Sequence, residues 1–157
     1  MNRSFALLCL ILIIAAAFAG CANNNAYAAQ IAAGSGYASG QEYDQAIAAY
    51  NKAVGIDQKQ SGAYFGLADV YAAREDENTV QEISGILKQG YLKQTESADK
   101  AAFAQKYLNT ADTLAVQGKT QWALALLQDG YNLTGFASLK DKADEITAAA
   151  ASTQSAT

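Results

Sequence analysis

The sequence has no histidine and no proline among its 157 residues. Without histidine the chain lacks the side chain that most often serves as general base or metal ligand near neutral pH. Ser-His-Asp, Cys-His and His-zinc enzymes are therefore excluded. Without proline, its turns must be set by glycine and polar residues. Charge is also sparse: 17% of residues are charged, with Lys+Arg 11 against Asp+Glu 15 and a formal net charge of −4. A nucleic-acid partner, which requires a basic face, is not expected. Beyond the N-terminus β-branched residues are few, whereas alanine, the best helix former, occurs 35 times. The length suits one domain of about 100–150 residues, so the composition describes a single helical unit and leaves no room for a two-domain enzyme.

The first 20 residues have a different character. One positive charge, Arg3, precedes an apolar run from Phe5 to Phe18. That run is too short for a spanning helix of about 20 residues and right for a signal-peptide core of about 7–15. The following Phe18-Ala19-Gly20-Cys21 resembles the lipobox of bacterial lipoproteins, although Phe18 stands where leucine is commoner. The resemblance implies that residues 1–20 are removed and that the Cys21 thiolate, the nucleophile of the pair, accepts a diacylglycerol. It also implies an exported protein, lipid-anchored to the cell membrane or the outer membrane. Ordinary cleavage after Ala17-Phe18-Ala19, leaving a free soluble chain, is the alternative. Cysteine usage agrees with acylation: Cys9 is lost with the signal, and Cys21 would otherwise be an unpaired thiol in an oxidising compartment. Cleavage takes away Arg3 and no acid, leaving ten basic and fifteen acidic side chains. Residues 21–26 then form the lipidated cysteine and a short polar linker. At ~3.5 Å per residue, Ala22 to Asn25 would hold the first helix within roughly 15–20 Å of the bilayer.

Beyond this linker the chain repeats itself with a period of 34, as from Tyr37 to Tyr71 and from Ala53 to Leu87. Tyr64-Phe65-Gly66-Leu67-Ala68-Asp69-Val70-Tyr71 carries an aromatic, a Leu-small pair three residues on, and a second aromatic. Gly40 to Val54 carries a glycine turn followed by Ala46, Tyr50 and Ala53 at matching intervals. A third unit has Tyr107, Ala111 and Leu114, then Gly118, Trp122-Ala123, Leu127 and Gly130. These patterns resemble the tetratricopeptide repeat (TPR). The resemblance covers about residues 27 to 137. It implies an all-α, TPR-like right-handed superhelix of antiparallel helix pairs, about three repeats plus a C-terminal capping helix. Ala46, Ala68, Ala111 and Ala123 are expected where helices cross, with Tyr37, Tyr50, Tyr64, Tyr71 and Tyr107 filling the space beside them.

Two features depart from the family. Gln58 and Gly135 replace the proline that usually ends a repeat, and the step from Tyr64 to Tyr107 is 43 residues. The extra residues are assigned around Gly90 to Ala98, with Ser97 as N-cap of a first helix lengthened by about two turns. Helices are expected at about 27–39, 42–55, 61–73, 77–90, 98–117, 119–133 and 137–150. The first competes with a linker because Gly34-Ser35-Gly36 disfavours helix by roughly 1 kcal/mol per glycine. The domain spans 27–150, and residues 151–157, without large apolar side chains, form a disordered tail.

In the family, the first helices of the repeats line a concave groove for an extended peptide or partner helix. Asp69 and Asp112 occupy equivalent places on the first helices of successive repeats. With Phe65, Leu108 and Gln105 they define the candidate partner-binding groove: an apolar floor with acceptors for a Lys, an Arg or a backbone N–H. The other reading makes both aspartates solvated surface acids. As a general acid and base they would need a pocket and a raised pKa, and no catalytic residue is assigned. The lysine and asparagines of carboxylate-binding TPR modules are replaced by Ile31, Ser35, Phe65 and Asp69, so that activity is not expected. Glu75-Asp76-Glu77 reads as a solvated turn beside Arg74, Trp122 as a packing residue, and neither metal nor cofactor is expected. Two functions follow. The first is an envelope scaffold or adaptor that binds a protein or peptide without catalysis; the second is a lipid-anchored binding protein for a small ligand or glycan. Partner identity and oligomeric state are open.

Overall fold

The computed structural model describes residues 23–154. Among them are seven helices and no strand: α1 (23–39), α2 (Tyr43–Ile56), α3 (Ser61–Arg74), α4 (Thr79–Tyr91), α5 (Ser97–Val116), α6 (Thr120–Thr134) and α7 (Ala137–Gln154). The signal segment and Cys21 lie outside the described residues. Consecutive helices pack pairwise, while α3 also touches α5, α5 touches α7, and α4 touches α6. The result is two layers of stacked hairpins, an all-α, TPR-like arrangement. Alternate helices α1, α3, α5 and α7 form one layer.

The segment that competed between helix and linker is helical, and the helix runs back to residue 23 through residues assigned to the spacer. Gly34 explains why α1 tolerates its glycines. A Cβ at Gly34 would lie 2.8 Å from Tyr50 Cε1, so the missing side chain lets the α2 tyrosine ring rest on the α1 backbone. Tyr50 is thereby buried, and packing outweighs the propensity cost of about 1 kcal/mol. The same ring also meets Gly66 of α3. Tyr107 of α5 similarly lies on Gly130 of α6.

Turns form without proline by two means. Asp57 follows α2, and its carboxylate accepts from Lys59 N–H at 2.9 Å and from Gln60 Nε2 at 3.0 Å. These bonds pin the connection and hold the Asp57 pKa below its ordinary value. Gly135 ends α6 in the left-handed conformation, φ 72°, with its N–H donating to Tyr131 O at 2.8 Å; glycine adopts that φ without a Cβ penalty. The expected lengthening of α5 is present, 20 residues against 14 in α3. Ser97 is not its N-cap: it is the first helical residue, preceded by Glu96, and no side chain caps the end. The last helix extends to Gln154, so residues 151–154 of the expected disordered tail are helical, and 155–157 lie outside the described residues.

The core follows the repeat pattern. Ala46, Ala68, Ala111 and Ala123 are fully buried, as are Tyr64 and Tyr107. Tyr64 packs edge-on against Phe103 of α5 with ring centroids 6.1 Å apart. Tyr71 is half-buried. Tyr37 does not fill the core as expected; it is 37% exposed, in the last turn of α1 beside the turn to α2. Leu139 anchors α7 from below, fully buried, while Lys140, Asp141, Asp144 and Glu145 leave the opposite side charged and exposed.

Candidate binding groove

Three depressions run across the layer of alternate helices and share lining residues. The widest, 770 Å³, lies along α1 and the start of α3, lined by Asn24, Tyr27, Ile31, Ser35 and Gln60 among others. Ser35 also borders a second of 340 Å³, between α1 and α3, with Ala38, Ser39, Gly66, Asp69 and Ala73. Asp69 and Ala73 in turn border a third of 150 Å³, between α3 and α5, with Lys106, Asn109, Thr110 and Gln117. Shared residues make this one surface groove that narrows from α1 towards α5. Its lining combines small side chains with the Tyr43 and Tyr50 rings in the middle depression, and hydroxyl and amide groups supply most of its polar atoms.

Of the residues expected to form the groove, Asp69 alone borders these depressions. Phe65 lies in the seam between α3 and α5, edge-on against Phe103 at a centroid distance of 4.9 Å, with Lys106 Nζ 5.8 Å from its ring centroid. Leu108 is half-buried against the main core. Gln105 is exposed and donates to Asn109 Oδ1 at 2.8 Å along its own helix. Asp112 meets Lys142 of α7 at 3.0 Å. Phe65 and Leu108 thus fasten neighbouring repeats together instead of forming an open apolar floor.

The acidic groove expected from Asp69 and Asp112 is not what the chain builds, because each aspartate has a lysine on the next helix of the layer. Lys106 of α5 pairs with Asp69 of α3, and Lys142 of α7 pairs with Asp112 of α5. The Lys142 pKa is raised, chiefly by its bond to Asp112 and then by that to Glu145. Two more pairs join repeats along the edge of the hairpin turns. Arg74 lies 3.9 Å from Asp44 of α2, and Lys119 Nζ lies 2.6 Å from Glu75 Oε1, a charge contact without an aligned hydrogen bond. Arg74 is also held by Asp76 at 2.7 Å and by both Glu82 oxygens at 2.8 and 2.9 Å. The turn read as solvated is therefore an ion-pair cluster.

Two further residues have roles that the sequence reading did not assign. The Tyr27 hydroxyl accepts from Ala63 N–H at 2.9 Å. It does for α3 what the N-cap Gln60 does not, since no side chain of the cap itself bonds the helix end. Thr110 is the other. It is 3% exposed, yet its Oγ1 has no hydrogen-bond partner in the chain. The alignment of Leu67-Ala68 with Thr110-Ala111 already showed a hydroxyl where the preceding repeat has leucine; that it is unpartnered required coordinates. Trp122 is half-buried against the main core with Lys119 Nζ 5.1 Å from its ring centroid. Among the described residues no group of three or more Cys, Asp or Glu could hold a metal ion, and no helix is long and apolar enough to cross a membrane.

A family model for the TPR repeat matches residues 34–74, the segment holding the end of α1, α2 and α3. Comparison with curated proteins and with solved structures returned no match. The fold is all-α and TPR-like, and residues 34–74 match the TPR repeat, a repeat that generally mediates protein–protein binding.

Proposed function

We propose that this chain is a membrane-tethered envelope lipoprotein whose TPR-like domain serves as a scaffold or adaptor for a protein partner and performs no catalysis. The observation that carries the reading is the continuous groove on α1, α3 and α5 in a chain with a TPR repeat match over 34–74. A groove built from successive repeats offers an extended ligand one unbroken surface. The tether rests on the sequence: Arg3, the apolar run Phe5 to Phe18 and the lipobox-like end at Cys21. On this reading Ala22 alone, a reach of at most ~7 Å over two backbone steps, separates the acylated cysteine from a helix already formed at residue 23. The domain would then be held closer to the bilayer than a spacer through Asn25 would allow.

Affinity capture from detergent-solubilised envelopes tests the scaffold. A single stoichiometric protein should be recovered by the wild-type chain and lost by the double variant Ala73→Arg and Asn109→Arg. Both positions are exposed in the groove, so the added bulk obstructs binding without entering the core. Recovery of a small molecule alone would favour a carrier instead. Mass spectrometry of the mature N-terminus tests the tether, since an unmodified chain starting at Gly20 would exclude it.

A further inference from the structure

The two ends of the stack differ in charge. Because consecutive helices run antiparallel, the start of α1, the α2–α3 connection and the α4–α5 connection lie at one end. Two hydrogen bonds tie them together: Ala63 N–H donates to the Tyr27 hydroxyl at 2.9 Å, and Gln94 Nε2 donates to Lys59 O at 3.2 Å. With each helix cut at its midpoint, eight of the ten Lys and Arg side chains among the described residues fall in this half, with seven of the fifteen Asp and Glu. The other half holds two bases, Arg74 and Lys119, against eight acids. An acidic chain is thus folded into a dipole whose positive pole is the end where α1 begins.

Ion pairing sharpens the difference. Arg74 and Lys119 are both held by carboxylates. In the other half Lys106 and Lys142 are paired, whereas Lys52, Lys59, Lys88, Lys93 and Lys140 are exposed and form no ion pair. The acid nearest Lys59, Asp57, is committed to Lys59 N–H and Gln60; exposed Glu96 and Asp99 offset the lysines in part. Leu92, next to Lys93, is 65% exposed at this same end, a large apolar side chain beside an uncommitted cation. On the tether reading, Cys21 lies within ~7 Å of the first turn of α1, which brings this end to the headgroups. The anchor motif and the lysines are separate features of the sequence, and they select the same end.

We propose that this end of the domain rests on an anionic bilayer, with Lys59 and Lys93 against lipid phosphates, Leu92 entering the interface, and the acidic edge around Glu75 to Glu77 turned away. The inference rests on the tether reading and adds which surface the membrane meets. A basic surface reinforces an acyl anchor, and here it also fixes the orientation of the stack.

Amide hydrogen exchange tests this on the chain isolated from envelopes in detergent and reconstituted into phosphatidylcholine vesicles with or without phosphatidylglycerol. Residues 57–60 and 92–96 should exchange about fivefold or more slowly when phosphatidylglycerol is present, the share of one lysine at an anionic surface. Residues 75–78 and 116–119 should exchange alike on both vesicles, and high salt should remove the difference. Lys59→Gln with Lys93→Gln, and separately Leu92→Ser, should reduce the protection; all three side chains are exposed, so the core is untouched. Equal exchange on both vesicles, protection of the acidic edge instead, or variants protected as fully as wild type would each overturn the inference. So would protection that requires a captured envelope protein, which would assign this end to an acidic protein. The mass of the mature N-terminus reads the tether separately. An acylated chain with unprotected loops keeps the tether and loses this surface; an unmodified chain with protected loops does the reverse.

Discussion

Gly90 and Gly85 both lie within α4, and their surroundings oppose the usual preference of a helix for alanine. A Cβ at Gly90 would lie 2.5 Å from Phe103 Cε1 and 2.7 Å from Tyr64 Cγ, whereas one at Gly85 would meet nothing within 4 Å. Helix propensity favours alanine by about 1 kcal/mol at either position, but overpacking two buried rings costs about 1–3 kcal/mol. Gly90→Ala should therefore be net destabilising by up to about 2 kcal/mol, and Gly85→Ala should stabilise by up to about 1 kcal/mol. Urea titrations of the two variants measure both signs; equal shifts would refute the ring-on-glycine account. Tyr107 gives a pH prediction at the same scale. Burial pushes its pKa up to about 12, against a smaller downward effect of the Ser84 side chain. The folded-state value exceeds the ordinary one of 10.0, so the stabilising contribution is fully present below pH 10 and declines as pH rises towards 12. Alkaline titration followed by tyrosinate absorbance and helicity should show Tyr107 ionising late, together with loss of structure. Tyr107→Phe should remove part of that alkaline sensitivity.

Two elements depend on side chains from outside the helix they complete. The N-terminus of α3 is served by Tyr27 of α1, so Tyr27→Phe should lower stability by about 1 kcal/mol, the usual worth of a helix cap. Hydrogen exchange should show the first turn of α3 opening more than the rest of that helix; uniform protection would count against a capping role. The connection from α2 to α3 depends on the charged carboxylate of Asp57. Its pKa lies below the ordinary 3.8 because of the Lys59 N–H first and Gln60 second. A depressed value means that the contribution is present above about pH 4 and is lost as pH falls through the folded-state pKa. Asp57→Asn should flatten the stability profile below pH 4 and leave its alkaline limb unchanged, as thermal melts across pH would show. The length of α5 was legible from the 43-residue step, but its true start was not. A serine before a helical run is a good N-cap by propensity; here Glu96 takes that place and the Ser97 backbone is already helical.

At the scale of the whole molecule, the ion pairs Asp44–Arg74, Asp69–Lys106, Glu75–Lys119 and Asp112–Lys142 each join one hairpin to the next. Partly exposed pairs of this kind are weak individually and screened by salt, so together they adjust the stacking that the buried aromatics and alanines hold. Changing Lys106 and Lys142 together to glutamine should lower the melting temperature by about 2–4 °C and reduce its dependence on salt between 50 mM and 1 M. An unchanged salt response in calorimetry would mean that the pairs do not stitch the repeats.

The helices and their order could be read from the chain because alanines, aromatics and leucines recur at the repeat's spacing, and that periodicity is a local property. The absence of histidine likewise closed off whole classes of catalysis before any fold was known. What occupies the groove surface could not be read in the same way. Asp69 and Asp112 looked like an acidic pair because each was seen on its own helix, while Lys106 and Lys142 reach them only once neighbouring helices are in register. Gly34 looked like a helix breaker until Tyr50 was found lying on it, and Thr110 became conspicuous only when its burial and missing partner were known together. The sequence by itself determined a stack of helical hairpins; the tertiary structure decided that its groove is nearly neutral, because charge pairing and burial depend on contacts between helices that no single helix specifies.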